Sequence, residues 1–222
     1  DNRRFAHAAA VPMLEPSDSQ ECYDMTLAAF EISHRWGIPV LLRLTTRVCH
    51  SKAVVRPEPS GFKSLSTCFE RDVEGRVLLP AYSRPAHRRL RAKLEEMRAW
   101  NEASELNVEI RQSSEIGIIT SGVSFLHAHE ASSEASILKL GMTSPLPLDS
   151  IRAFADSVET CIVVEEGDPY LFELIRAAGV EVEGKTEDFR YGELSVDRAR
   201  RVLQRVADVE PDTPTGTAPQ LC

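Results

Sequence analysis

The sequence has no apolar run approaching the roughly 18 residues that cross a bilayer as a helix. It also has no C-x-x-C pair. Its cysteines, Cys22, Cys49, Cys68, Cys161 and Cys222, are scattered and odd in number. That pattern argues against a disulfide framework, a zinc knuckle or an iron–sulfur cluster held within these residues. Each cysteine reads instead as a small apolar side chain in a reduced, cytoplasmic setting. Aromatic residues make up only 6% and the formal net charge is −8, so nothing here draws nucleic acid or an anionic membrane surface. A G-x-G-x-x-G loop, a P-loop and a Ser–His–Asp pattern are all missing. The N-terminus, Asp1-Asn2-Arg3-Arg4, has neither an initiator Met nor an apolar stretch of signal-peptide type after it. The chain is therefore expected to be a piece of something longer.

What is there is a regular alternation. Ile116–Thr120, Ser136–Leu140 and Thr160–Glu165 are short apolar runs, separated by helix-length segments that end near Ala131, Ser157 and Gly179. Val180-Glu181-Val182 begins a further strand, and a helix from Ser195 to about Ala207 closes the unit. Strand–helix alternation of this length predicts parallel pairing with helices covering both faces of the sheet. The fold class is α/β.

Upstream, Ser17 and Gln20 have capping-box spacing, and Met25, Ala28, Ala29, Ile32 and Trp36 share one helical face. Gly37 stands where a C-terminal glycine would end that helix. Ile38–Leu44 then reads as a buried strand. Residues 53–84 read as a linker, rich in breakers such as Pro57, Pro59 and Gly61, in which Val77-Leu78-Leu79 could add a short strand. Arg84–Trp100 reads as a solvated basic helix with a stripe of Leu90, Leu94 and Met97. The expected division is thus 1–52, 53–84, 85–209 and a flexible tail over 210–222.

Candidate chemistry is sparse. Thr45, Thr46, Arg47 and His50 follow a buried strand at the end where open α/β sheets place ligands. Two hydroxyls and a guanidinium could hold a substrate carboxylate, and His50 could carry a proton. The alternative is turn chemistry with Arg47 in a structural ion pair. Glu165 and Glu166 end another strand, where they could act as acid and base or make a domain or subunit contact. Strand alternation favours the contact for at least one of them. His127 and His129, two apart on a helix, point to different faces and are not expected to share a metal. Gly117 and Gly122 suit a tight strand-to-helix turn.

Several stretches, in this order, resemble the α subunits of indolepyruvate:ferredoxin oxidoreductases, within the thiamine-diphosphate-dependent 2-oxoacid:ferredoxin oxidoreductase family. They include Leu14-Glu15-Pro16-Ser17-Asp18-Ser19-Gln20-Glu21, Pro39–Arg47, Gly117–Val123, Leu138–Pro147, Val163–Pro169 and Gly192–Ser195. The resemblance implies that residues 1–52 are the C-terminal part of a pyrimidine-binding domain and that 85–209 hold a transketolase C-terminal-like domain. Cys222 then opens a segment leading to the pyrophosphate-binding domain. It implies that the intact enzyme decarboxylates an arylpyruvate oxidatively to an acyl-CoA, with electrons passing to ferredoxin. Thiamine diphosphate, magnesium and [4Fe-4S] clusters would serve that enzyme, and none is expected to bind this piece alone. The implied partners are the rest of the α subunit, a β (γ-type) subunit, ferredoxin, arylpyruvate and coenzyme A, in a dimeric assembly. No residue here is assigned a catalytic role. By the resemblance Thr45–Arg47 sit at the strand end near the cofactor cleft, where Thr46 and Arg47 are expected to help hold the substrate carboxylate or to support the loop that does. Rival readings are another thiamine-diphosphate scaffold, such as an E1-type dehydrogenase or a sulfonate decarboxylase relative, and a non-catalytic α/β binding module.

Overall fold

The structure, a computed structural model, describes residues 1–57 and 71–206. Cys68, Cys222, part of the expected linker (58–70) and the expected tail (210–222) lie outside the described residues. The chain begins with α1 (Arg3–Ala9), β1 (Met13–Leu14) and α2 (Ser19–Trp36). It goes on through β2 (Leu41–Leu42), α3 (Thr46–His50), α4 (Val73–Arg76) and α5 (Pro80–Asn101). The second half contains β3 (Val108–Ile110), β4 (Ser113–Ser121), α6 (Val123–Ala131), β5 (Ala135–Leu140) and β6 (Met142–Ser144). It ends with α7 (Leu148–Ala155), β7 (Thr160–Val164), α8 (Tyr170–Ala177), a 3-10 turn at Glu187–Arg190, and α9 (Val196–Leu203).

The larger sheet runs β3-β5-β4-β7. β4 pairs in parallel with both β5 and β7, while β3 joins the edge antiparallel to β5. Side-chain alternation splits these strands into two apolar faces. Ile119, Leu138, Leu140 and Val163 pack with Ile151, Phe154, Leu171 and Ile175 from α7 and α8. Ile118, Ile137, Ile162 and Val164 pack on the other side with Ala128, Ala199 and Val202 from α6 and α9. Helices therefore cover both faces, as parallel sheets require.

The smaller sheet runs β2-β1-β6. β1 and β2 are parallel, with α2 as the crossover, and β6 lies antiparallel to β1. β6 follows β5 after the single residue Gly141, so one short stretch of chain serves both sheets. A Cβ at Gly141 would come within 2.1 Å of the Leu106 carbonyl oxygen, so only glycine fits this crossing. Leu14, Met25, Ile32, Trp36, Met97 and Met142 form a third apolar cluster, between α2, α5 and the smaller sheet.

Several expectations need correcting. α2 begins one residue later than its capping box suggested. Asp18 is the N-cap and accepts from the Glu21 amide, and Glu21 reaches back to the amide and hydroxyl of Ser17. Gln20 takes no part in that cap. Val77-Leu78-Leu79 is not a strand: it leads exposed into α5, which starts at Pro80, where proline's missing N–H costs nothing. α4 and the first turn of α5 thus occupy ground expected to be irregular. The Val180–Val182 strand reduces to one parallel bridge between Glu183 and Ile162. Cys161 is buried, but Cys49 is exposed.

Candidate functional site

Charged and hydroxyl side chains gather where the two sheets meet, at the C-terminal ends of the parallel strands. Glu15 follows β1 and is 1% exposed. Its carboxylate accepts from Thr143 Oγ1 at 2.7 Å, from Arg43 Nη1 at 2.8 Å and from Ser121 Oγ at 3.4 Å. One carboxylate thus collects donors from β6, from the end of β2 and from the end of β4. Arg43 Nε also donates to Asn2 Oδ1 at 2.7 Å, which brings the start of the chain into the same seam. Gly122 turns β4 into α6 beside Glu15 at φ +52°, a backbone conformation that side chains rarely adopt.

Lys139 sits in β5 and is fully buried, opposite Thr120 of β4. Its ammonium is ion-paired with Glu21 at the head of α2 and stands 4.9 Å above the Phe125 ring. Burial pushes the ammonium down to about 8. Glu165, directly after β7, forms a second buried node. Arg3 Nη1 donates to it at 2.7 Å, and the Leu171 and Phe172 amides at the head of α8 donate at 2.9 and 3.0 Å. Burial pushes the carboxyl up, while Arg3 and the two amides pull it back. Lys185 Nζ donates to the Glu165 carbonyl at 2.7 Å, and burial lowers its ammonium to about 8.

Thr45 is the N-cap residue of α3, and its Oγ1 is buried without a hydrogen-bond partner. Thr46 and His50 are exposed. Arg47 is also exposed and bonds Glu193 Oε2 at 2.5 Å. The four residues share one short helix, but the partner that Arg47 takes comes from the far end of the sequence. Glu166 is half-buried and accepts the Leu194 amide at 3.0 Å, close to that pair. His127 and His129 diverge on α6. His129 is exposed and packs on the Phe125 ring at 5.7 Å, whereas His127 Nε2 is buried without a partner. Burial and the nearby Arg47 push the His127 imidazole down. Among the described residues no group of three or more His, Cys, Asp and Glu side chains is placed to hold a metal.

Sequence reasoning assigned no role to Glu15, Lys139, Ser121 or Thr143. The signals were present: Lys139 interrupts the apolar run Ile137–Leu140, and Glu15 stands between Leu14 and Pro16. A charge inside a run that predicts a buried strand needs a partner.

Searched against protein-family models, the sequence matches none. Among curated proteins it is 36% identical over 244 aligned residues to the indolepyruvate oxidoreductase subunit IorA of Methanothermobacter thermautotrophicus. All of this chain is covered, but only 39% of that protein. The IorA subunit of Archaeoglobus fulgidus is 34% identical, covering 95% of this chain and 35% of its own length. The chain is homologous to a segment of the IorA subunits. It spans about two fifths of the length of these relatives, which are subunits of oxidoreductases. In three dimensions it is similar to a 2-oxoglutarate:ferredoxin oxidoreductase from Magnetococcus marinus, with TM-score 0.67, 15% identity, and coverage of 87% of this chain and 42% of that one. It also resembles a split-gene transketolase in its inactive β4 tetramer, with TM-score 0.51, 14% identity, and coverage of 89% and 57%. These likenesses establish the fold as α/β, with a parallel sheet and helices of transketolase C-terminal type. Among the described residues no helix is long and apolar enough to cross a membrane.

Proposed function

We propose that this chain is an internal segment of an indolepyruvate:ferredoxin oxidoreductase subunit and that it shapes the reaction cleft instead of making or breaking bonds. The observation that carries this reading is that the buried charges at the strand ends are spent on one another. Glu15 is held by Arg43, Thr143 and Ser121, Glu165 by Arg3 and two amides, and Lys139 by Glu21. A general acid or base needs a proton within reach of substrate and a free face. These groups are locked into a frame between the two sheets. Arg47, paired with Glu193, supports the loop after β2 from the side of the larger sheet.

A second support is the smaller sheet itself. β2 is an edge strand of two residues, and Leu41, Leu44 and Phe30 beside it are exposed. A parallel strand pair with apolar residues left in water calls for further strands and a cover. The greater length of the IorA relatives offers both. In the whole enzyme thiamine diphosphate would stabilise the carbanion left by decarboxylation. Among the described residues no group of three or more His, Cys, Asp and Glu side chains is placed to hold magnesium or an iron–sulfur cluster. The remaining α subunit, a β subunit, ferredoxin, coenzyme A and an arylpyruvate are the proposed partners, in a dimeric cytoplasmic enzyme.

The test compares the 222-residue chain with the full-length subunit assembled with its partner subunit. Calorimetry with thiamine diphosphate and Mg²⁺ is expected to give tight binding to the assembly only. Arylpyruvate-dependent reduction of ferredoxin is expected from the assembly only. Turnover by the isolated chain would overturn the proposal.

A further inference from the structure

Two free thiols stand outside every arrangement described above: Cys22, half-buried in the first turn of α2, and Cys49, exposed in α3. They are far apart in sequence, yet the fold brings their helix ends together. Ser19 at the start of α2 and Ser51 at the end of α3 share a hydroxyl–hydroxyl hydrogen bond of 3.2 Å. The chain beyond α3 stays along α2, because the Gln20 side chain exchanges two hydrogen bonds with the Arg56 backbone, at 2.8 and 3.3 Å. Cys22 stands three residues beyond Ser19, on the same side of α2, and Cys49 stands two residues before Ser51. The two sulfurs feel each other's charge: burial pushes the Cys22 thiol up, and Cys49 and Asp18 push it further. Val48 is the one buried residue of the five in α3, so little packing opposes a small shift of that helix toward α2.

The two thiols differ in access. Cys49 meets dissolved reagents, whereas Cys22 is partly sheltered beside it. An exposed thiol with a second thiol next to it is the arrangement that turns oxidation into a reversible cross-link. We infer that Cys22 and Cys49 form an oxidation-sensitive pair that a hydroperoxide closes to a disulfide. The Cys49 thiolate attacks a peroxide oxygen, the O–O bond breaks, and Cys49 becomes a sulfenic acid as the rest of the peroxide leaves as hydroxide or alkoxide. The Cys22 thiol then attacks the Cys49 sulfur, and the sulfenic oxygen leaves as water with the Cys22 proton. Two electrons pass from the sulfurs to the peroxide bond, and a dithiol reductant returns them. The new bond ties α3, with Arg47 on it, to α2. The inference does not rest on the function proposed above.

The experiment uses the full 222-residue chain carrying Cys68→Ser and Cys222→Ser, which leaves Cys22, Cys49 and the buried Cys161. A small excess of hydrogen peroxide is expected to remove two titratable thiols per chain. Mass spectrometry of peptides is expected to find Cys22 joined to Cys49, lighter by two hydrogens, and dithiothreitol is expected to restore both thiols. Oxidation is expected to raise the melting temperature by about 3 °C or more, because the cross-link constrains the unfolded chain. It is also expected to slow trypsin cleavage after Arg47 and Lys52 several-fold, since α3 is then held. Cys49→Ser, a change at an exposed site, is expected to abolish the cross-link and both of those shifts. Cys49 carried on to a sulfinic acid with Cys22 still a free thiol would overturn the inference. A dimer joined through Cys49 of two chains, or a cross-link to Cys161, would overturn it as well.

Discussion

Arg3 and Glu165 meet at 2.7 Å across 162 residues of sequence, and each is only 1% exposed. The pair fastens α1 to the turn between β7 and α8. The same guanidinium donates to the carbonyls of Glu166 and Asp168, both at 2.8 Å, and lies 5.1 Å over the Tyr170 ring. One arginine thereby holds the beginning of the chain against the end of the larger sheet.

Removing Arg3 leaves Glu165 buried without its countercharge, whereas removing Glu165 leaves Arg3 still paired with the buried Asp1. Arg3→Met is expected to destabilise the chain by about 3–5 kcal/mol in urea unfolding, and Glu165→Ala by less, because Arg3 keeps Asp1. The double variant Arg3→Met/Glu165→Leu is expected to lose less than the sum of the singles. Additive losses would mean that the two side chains do not depend on each other.

Lys139 gives stability a pH dependence. Its folded-state pKa, about 8, lies below its unfolded value, so between pH 8 and about 10.4 the unfolded chain binds more protons. Stability contributed by this group therefore rises as pH rises through 8, by at most about 1.4 kcal/mol per pH unit. Lys185, also near 8, has the same sign. Lys139→Met is expected to flatten the profile of melting temperature between pH 7.5 and 9.5. An unchanged profile in that variant would remove Lys139 as its source.

Arg47 separates scaffold from substrate chemistry. Its bond to Glu193 is half in water, so Arg47→Ala is expected to change stability by less than about 1 kcal/mol. In the arylpyruvate-oxidising assembly proposed above, the same change is expected to raise KM several-fold, because the loop after β2 loses its prop. Unaltered kinetics would remove Arg47 from any role in the cleft.

Gly141→Ala places a methyl group 2.1 Å from a backbone oxygen that no rotamer change can move. The expected loss is about 2–4 kcal/mol, read as a lowered denaturant midpoint, with β6 parting from β1. Gly37→Ala meets no atom and only changes the left-handed cap of α2, so a loss of about 1 kcal/mol is expected.

Three strands of the larger sheet were legible because Ile116–Thr120, Ser136–Leu140 and Thr160–Glu165 are short, mainly apolar runs separated by helix-length segments, the pattern of strands buried on both faces. β3 and β6 were not. Each is three residues long, and each exists because a partner strand lies alongside, which local composition does not record. The Val77–Leu79 run misled for the converse reason: it has apolar composition but no strand beside it among the described residues. At the candidate site the position of Thr45–His50 after a strand could be read from local pattern. That Glu193, 146 residues away, takes the guanidinium of Arg47 could not. Glu15 and Lys139 were visible as charges in apolar surroundings, but their partners, Arg43 and Glu21, are set by how the two sheets abut.

The outer side of β2 carries a practical consequence. Its amides and carbonyls point toward the position of a next strand, with Leu41 and Phe30 as oily neighbours. An uncovered edge with apolar neighbours is a template for a further strand, although its two-residue length keeps that pairing weak. At high concentration the chain is expected to associate through this edge, and a charged residue placed at Leu41 should keep it dispersed.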